Sequence, residues 1–220
     1  MSNFIKNNIL LIALVFFLLV TTSGCSSDDN SSSIPDPGGT IGNTSVTMKV
    51  NGQNWSTNQA FAYTIPASEA EDEDEFSIQD GYLVYIHATR TVDDTEEGDE
   101  GETLGLYLHV SESQFENPKG NYNMGANGIE NQGEAAALYL DYINNIYYGS
   151  GDVYGESNVF GSINVTDFKI GKQYVYGDGY LELSGTFEMD MYGANYITGE
   201  DELIQIRDGK FKVYHSILYE

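Results

Sequence analysis

Polar and apolar residues alternate along most of the chain from Ser45 onward, and this period of two constrains the fold more than any other feature. Successive side chains of a β-strand point to opposite faces of a sheet, so the pattern is typical of strands with one buried face. No amphipathic segment of ten or more residues has helical spacing. The sequence therefore predicts a single all-β antiparallel domain over residues 45–220. We favour a β-sandwich, with a closed meander barrel of the calycin type as the alternative.

The clearest alternation runs from Tyr180 to Tyr192. The face predicted to be buried carries Leu181, Leu183, Gly185, Phe187, Met189 and Met191, and the other face carries Glu182, Ser184, Thr186, Glu188 and Asp190. A second inward row consists of Leu104, Leu106, Leu108 and Val110. With further strands expected near 83–91, 134–142, 152–155 and 162–170, the chain has roughly ten strands in all.

Three dipeptides have the composition of two-residue hairpin turns, which need a positive φ and favour Asn-Gly or Asp-Gly. Asn51-Gly52 would pair Met48 with Trp55 and Val46 with Thr57. Asp208-Gly209 would pair Ile206 with Phe211 and Ile204 with Val213, which places four apolar side chains on one face. Asp178-Gly179 would pair Tyr176 with Leu181 and Tyr174 with Leu183.

The N-terminus has the composition of a secretory signal peptide. Lys6 precedes an apolar run from Ile9 to Val20, and small residues follow this run up to Cys25. A spanning helix needs about 20 apolar residues, so this run is short for one. We therefore expect residues 1–24 to be removed.

Ser23-Gly24-Cys25 resembles the lipobox, at which bacterial lipoproteins are lipidated and cleaved. The resemblance implies that Cys25 carries lipid and holds the chain to a bilayer. Cys25 is the only cysteine, so it has no internal disulfide partner. The alternative is an ordinary signal peptide followed by an unrelated cysteine.

The segment after Cys25 begins Ser26-Ser27-Asp28-Asp29 and continues without periodicity, rich in Ser, Pro and Gly, to Thr44. We predict a flexible lipidated tether over residues 25–44. Its acidic start resembles the export signal that takes lipoproteins of Bacteroidota, especially flavobacteria, to the outer face of the outer membrane. That resemblance implies a place at the cell surface, with a periplasm-facing lipoprotein as the alternative.

The chain after residue 24 is strongly acidic, with 34 Asp and Glu against 8 Lys and Arg once Lys6 is removed, a formal charge of −26. Such a surface repels phosphate backbones, which argues against nucleic-acid binding. It also repels anionic lipid head groups, so the lipid on Cys25 is the expected membrane contact.

Thirteen of the acidic residues lie in two stretches, Glu69–Glu75 and Asp93–Glu102, which we predict to be long solvated loops. Flexible acidic loops can also hold calcium, a hard cation that prefers oxygen ligands. The candidate ligands are Asp93, Asp94, Glu96, Glu97 and Asp99. Neither stretch has the spacing of an EF-hand, so no firm metal site and no other cofactor is predicted.

The residues give no indication of an enzyme. A nucleophilic hydrolase needs a Ser or Cys beside a His base, but there are only three histidines, no Gly-x-Ser-x-Gly motif, and a cysteine expected to be acylated. A zinc site of closely spaced His and Cys is excluded by the same count. Carboxylate pairs are too abundant among 34 acids to identify a glycosidase.

One candidate binding patch follows from strand register. If a symmetric loop centred near Glu97 joins two strands, Tyr85 faces His109 and His87 faces Tyr107. These four residues would then form an aromatic ligand platform or a weak metal site on the face opposite the core. The alternatives are ordinary cross-strand pairs or a second buried face.

Several short phrases of the chain are similar to a family of small Bacteroidota lipoproteins of unknown function. They are Asn117–Tyr122, Gly161–Thr166, Leu183–Glu188, Ile206–Val213 and the Asn51-Gly52 turn followed by Trp55. The resemblance spans most of residues 45–214 and implies a β-rich lipoprotein, but no reaction.

The sequence thus predicts a membrane-anchored lipoprotein with a non-enzymatic domain that binds a glycan, a peptide or an envelope partner. The abundance of tyrosine, 17 residues, suits sugar faces and protein partners, because the ring offers apolar area with a polar tip. Tyr is also a favoured strand residue, so packing in the core and between strands is the alternative that explains most of these residues. The alternative is a structural or adhesive envelope component without a small ligand, and the third interpretation is a calcium-binding β-domain.

Overall fold

The structure is a computed structural model. It describes residues 44–70, 78–95, 98–125, 129, 131–144, 146–150, 160–173, 177–195, 198 and 201–215, with backbone only at 92–95, 98–100, 194–195 and 201. The predicted signal peptide, Cys25, nearly all of the tether and the strand predicted near 152–155 lie outside these residues.

The described residues form eleven strands, and the prediction of an all-β domain is confirmed. The strands are β1 (Ser45–Val50), β2 (Gln53–Thr57), β3 (Gln59–Pro66), β4 (Tyr82–Thr95), β5 (Gly98–Val110), β6 (Gly120–Met124), β7 (Glu134–Asp141), β8 (Ile146–Gly149), β9 (Gly161–Gln173), β10 (Gly177–Asn195) and β11 (Asp201–Tyr214). A four-residue helix, α1 (Ala67–Ala70), and a 3-10 turn at Glu112–Gln114 are the described helical segments.

The eleven strands hydrogen-bond into one mixed sheet with the order β2-β1-β11-β10-β9-β6-β7-β5-β4-β3, while β8 pairs with both β10 and β7. Among the described pairs, β6 and β7 are parallel and the other strand pairs are antiparallel. We call β3, β4, β5 and β7 one half of the sheet and β1, β2, β6, β9, β10 and β11 the other half. β3, at one end of the order, also bonds to the other half. The Tyr180 N–H donates to Thr64 Oγ1 at 3.1 Å, and Ala62 forms a bridge with His215. These bonds connect two distant parts of the sheet.

The inward-facing residues of both halves meet in one hydrophobic core. Leu104, Leu106, Leu108 and Val110 of β5 are buried, as the alternation predicts. From the other half come Leu183, Phe187, Met189 and Met191 of β10. Within β10 the alternation fails at the start of the strand, where a register shift buries Tyr180 and leaves Leu181 half-buried over Gly171.

The predicted turn at Asn51-Gly52 is confirmed. Asn51 has φ 49° and Gly52 has φ 81°, as a two-residue hairpin of this type requires. Met48 pairs with Trp55 and Val46 with Thr57. The turn at Asn51-Gly52 therefore predicts the register of the two strands that it joins.

The predicted hairpin at Asp208-Gly209 is wrong, because β11 runs straight through this dipeptide. Asp208 has φ 55° and occupies a β-bulge, where β11 has one residue more than its neighbours β1 and β10. A one-residue bulge and a two-residue turn have the same effect on the sequence pattern: the buried residues have even numbers before it and odd numbers after it. Ile206 and Phe211 therefore share the core face without being paired to each other.

The predicted turn at Asp178-Gly179 is also wrong, because both residues lie inside β10. They pair with Lys172 and Gly171 of β9, and Leu183 pairs with Phe168 rather than with Tyr174. The connection between these strands falls at 174–176, which lies outside the described residues. Because the pairing of β9 with β10 already includes Gly177, the chain reverses its direction before the Asp178-Gly179 dipeptide.

The second acidic stretch is not the long loop that its charge predicts. β4 extends to Thr95 and β5 begins at Gly98, so the two strands pair through most of the stretch. Glu102 is buried, with 9% of its surface exposed, and Arg90 on the paired strand binds its carboxylate. Most of the first stretch, residues 71–75, lies outside the described residues.

Among the described residues, no helix has the length and apolar character needed to cross a membrane.

Candidate functional site

The four residues of the predicted patch lie on β4 and β5, but the predicted pairs are wrong. Tyr85 pairs with Tyr107, His87 with Gly105, and Leu83 with His109. The strands are therefore offset by two residues from the register that a symmetric loop at Glu97 gives. Because the offset is an even number of residues, residues of the same face still pair with each other. Tyr85, His87 and Tyr107 therefore share the face opposite the core.

This face is a packed aromatic layer rather than an open platform. The rings of Tyr85 and Tyr107 stack with their centroids 4.7 Å apart, and the two side chains are 4% and 7% exposed. They lie over Gly105, where a Cβ would come within 3.3 Å of both rings. His87 stacks on Phe61 of β3 at 4.9 Å. These contacts match the alternative of a second buried face.

His87 is a neutral member of this layer at neutral pH. Burial lowers the pKa of His87 to about 4. Hydrogen bonds join its Nδ1 to Tyr85 Oη at 2.7 Å and its Nε2 to Thr89 Oγ1 at 2.8 Å. Because both ring nitrogens of His87 already make hydrogen bonds within this layer, the side chain contributes more to packing than to ligand binding.

His109 lies apart from the aromatic rings and holds two loops to β5. Its Nδ1 is 3.0 Å from the carbonyl oxygen of Ile129, and its Nε2 is 2.8 Å from that of Asp80. The side chain is only 1% exposed. The role predicted for these four residues as a ligand site stays a prediction.

The calcium hypothesis concerns residues whose side chains the structure does not describe. Glu96 and Glu97 lie outside the described residues, whereas the backbone of Asp93, Asp94 and Asp99 belongs to the paired ends of β4 and β5. Among the side chains that are described, no group of three or more His, Cys, Asp or Glu could hold a metal ion.

A row of polar side chains crosses five strands on the outer face of the other half of the sheet. Strand register places Thr47 of β1 beside Lys210 of β11, and Lys210 beside Thr186 of β10. Thr186 in turn pairs with Asn164 of β9, and Asn164 pairs with Asn121 of β6. With strands about 4.8 Å apart, the row is about 19 Å long.

The row forms the floor of a groove of about 580 Å³. Ser162 and Glu188, one step further along the strands, line this groove and also a smaller neighbouring one of about 340 Å³. We call the two together the polar groove. Its lining residues are Thr47, Asn121, Asn123, Met124, Phe160, Gly161, Ser162, Asn164, Thr186, Phe187, Glu188, Asp208, Gly209 and Lys210.

Two β-bulges bracket the row and account for its shape. On one side, β11 contains the extra residue at Asp208, and on the other, β9 contains an extra residue between Val165 and Asp167. Bulges increase the local twist of a sheet and change the direction of side chains. Gly209 fits here because a Cβ would come within 2.5 Å of the Phe187 carbonyl oxygen.

An exposed aromatic ring lies at one end of the polar groove. Phe160 is 53% exposed, the most of any large hydrophobic side chain among the described residues. The guanidinium of Arg207 lies 5.4 Å from its ring centroid, and Asp190 accepts a hydrogen bond from Arg207 at 2.6 Å. The ring is therefore supported by a fixed cation while much of its surface remains open to solvent.

The chemistry of the polar groove suits a ligand with many hydroxyl groups. Asn side chains donate and accept hydrogen bonds, and Ser and Thr hydroxyls do the same. Lys210 within the row adds a charged donor, and Glu188 on the next row adds a charged acceptor. The open face of Phe160 can cover an apolar patch of the same ligand.

Sequence reasoning missed this site because its residues are spread from Thr47 to Lys210. One signal was available: Ser184, Thr186 and Glu188 were correctly assigned to the outer face of their strand. Their assembly, however, depends on pairings that only the fold supplies.

No protein-family model, curated protein or solved structure matches the chain.

Proposed function

We propose that this chain is a lipoprotein of the bacterial outer membrane, exposed at the cell surface, whose β-domain binds a glycan in the polar groove without catalysing a reaction. The row from Thr47 to Asn121 carries this proposal. It presents hydroxyl and amide groups from adjacent strands at a regular spacing, as recognition of a ligand with repeated hydroxyl groups requires.

The anchor in this proposal rests on the sequence around Cys25, which lies outside the described residues. The apolar run from Ile9 to Val20, the small residues before Cys25 and the acidic residues after it support export and lipidation. If residues 25–44 form a flexible tether, as their composition predicts, a chain of about 20 residues would span about 25 Å on average and let the domain reach ligands near the membrane.

The anchor is tested by fractionating cells that express Cys25→Ser beside the wild-type chain. The wild-type chain is expected in the membrane fraction and the variant in the soluble fraction. A variant that stays in the membrane fraction would contradict lipid anchoring through Cys25.

The groove is tested with the full-length chain, purified in mild detergent, on a glycan array. Thr186→Val keeps the shape of the side chain and removes one hydroxyl, so we expect a roughly threefold to tenfold loss of affinity for every bound glycan. Thr91→Val is the matched control, because Thr91 is an exposed strand residue on β4, outside the groove.

Binding that Thr186→Val and Asn164→Ala leave unchanged would refute the groove as the site. A chain that binds no glycan at all would refute the proposal and favour a structural or adhesive envelope component. Both variants alter partly or fully exposed side chains, so their melting temperatures should equal that of the wild type.

A further inference from the structure

The basic residues of the folded domain are concentrated in the half of the sheet that contains the polar groove. Arg90 is engaged with the buried Glu102. The other seven basic residues beyond Cys25 all lie in β1, β9 and β11 or immediately before β6. They are Lys49, Lys119, Lys169, Lys172, Arg207, Lys210 and Lys212.

This half of the sheet is consequently close to neutral in a strongly acidic chain. The six strands β1, β2, β6, β9, β10 and β11 contain eight acidic and six basic residues, a net charge of −2, whereas the formal net charge of the whole chain is −25. An anionic ligand is repelled from most of the surface, so long-range electrostatics favours its approach to this half of the sheet.

Most of the basic side chains in this half of the sheet already form ion pairs with acidic side chains. Five of the seven form ion pairs: Lys49–Asp208, Lys119–Asp167, Lys172–Asp178, Arg207–Asp190 and Lys212–Glu182. In the part of the chain that the structure describes, Lys169 and Lys210 have no such ion pair. Only Lys210 of these two lines the polar groove.

The acid nearest to Lys210 in sequence is Asp208, and Lys49 neutralises it. Lys49 Nζ lies 2.7 Å from Asp208 Oδ2. This hydrogen bond is the main cause that lowers the pKa of Asp208, with a smaller contribution from Lys210. Lys210 therefore presents its charge to the groove, between the hydroxyls of Thr47 and Thr186.

We infer that the glycan is acidic, and that Lys210 binds a carboxylate or sulfate group on one of its sugars. This inference rests on the proposed function and specifies its ligand. Hydrogen bonds between an ammonium group and an anionic oxygen are about twice as strong as neutral ones. Glu188 on the next row would repel a second anion, which orients the chain of sugars along the groove.

The test uses the full-length chain in mild detergent on an array that contains neutral, uronic-acid and sulfated glycans. We expect acidic glycans to bind and their binding to weaken at high salt. Lys210→Gln should reduce this binding about tenfold or more, and Lys210→Arg, which keeps the charge, should retain most of it. Lys169→Gln is the matched control, since it removes an equally unpaired lysine outside the groove.

Two other outcomes separate this inference from the proposed function. If only neutral glycans bind, and Thr186→Val but not Lys210→Gln weakens them, the acidic ligand is wrong and the groove stands. If no glycan binds, or if neither variant has an effect, both proposals fail.

Discussion

Glu102 connects four strands of the domain through three side chains, and its removal should destabilise the fold severely. Trp55 Nε1 of β2 donates to Glu102 Oε2 at 3.0 Å, and Tyr139 Oη of β7 donates to Oε1 at 2.6 Å. Arg90 Nε of β4 donates to Oε2 at 2.5 Å. The Arg90 guanidinium also lies 5.7 Å from the Trp55 ring centroid.

The expected cost of Glu102→Ala follows from what the substitution leaves behind. Trp55 and Tyr139 are each 2% exposed, so water cannot replace the lost acceptor. A buried donor left without a partner costs about 1–3 kcal/mol. Arg90 is about one-third exposed, so solvent screens its unpaired charge and adds little. We expect a loss of roughly 3–5 kcal/mol in the free energy of unfolding.

The measurement is urea unfolding of the full-length chain followed by the fluorescence of Trp55, its only tryptophan. Tyr139→Phe removes one donor and leaves the carboxylate bonded to the other two partners, so it should cost only about 1 kcal/mol. Glu116→Ala removes an exposed carboxylate and should change stability by less than about 0.5 kcal/mol. If Glu102→Ala costs less than about 1 kcal/mol, the network does not hold these strands together.

Two further predictions concern the pH dependence of the domain and the backbone of β11. Because the folded pKa of His87 is about 4 against an ordinary value of 6.5, its contribution to stability is complete above pH 6.5 and is lost as the pH falls through 4. His87→Phe should therefore flatten the unfolding free energy over this range by up to roughly 3 kcal/mol, and parallel curves for variant and wild type would contradict this. Asp208→Val places a branched side chain at φ 55° and should cost about 1–3 kcal/mol in the same urea assay. Asp178→Val, in the extended backbone of β10, is the control and should have little effect; equal costs for the two would exclude backbone strain as the cause.

Local sequence signals predicted those parts of the fold that depend on neighbouring residues. The alternation identified the buried face of β10, and Asn51-Gly52 fixed the register of β1 and β2. In both cases the predictive pattern lies in residues that are close together in the sequence. The same period-two reasoning failed at the bulges, because an apolar pattern that changes parity is compatible with a turn or with one extra residue.

Charge was a poor guide wherever tertiary contacts could satisfy it. The stretch 93–102 contains seven acids and was predicted to be a solvated loop, yet its described residues, 93–95 and 98–102, belong to two paired strands. Glu102 is buried because Arg90, Trp55 and Tyr139 all bind it. These partners are separated from it by 12, 47 and 37 residues, so no local pattern reveals them.

The polar groove depends on the pairing of β11 with β1 and β10, which forms in place of the hairpin turn predicted at Asp208. A residue with positive φ can end a strand in a hairpin or continue it through a bulge. Here β1 and β10 occupy both sides of β11, and their hydrogen bonds favour continuation. Continuation is what places Lys210 on the outer face between Thr47 and Thr186. A hairpin at this point would have paired Phe211 with Ile206 and left no row of side chains across the five strands. The row of the candidate site and the pairing of β1 with β11 therefore both depend on one structural feature, the continuation of β11 through the bulge at Asp208.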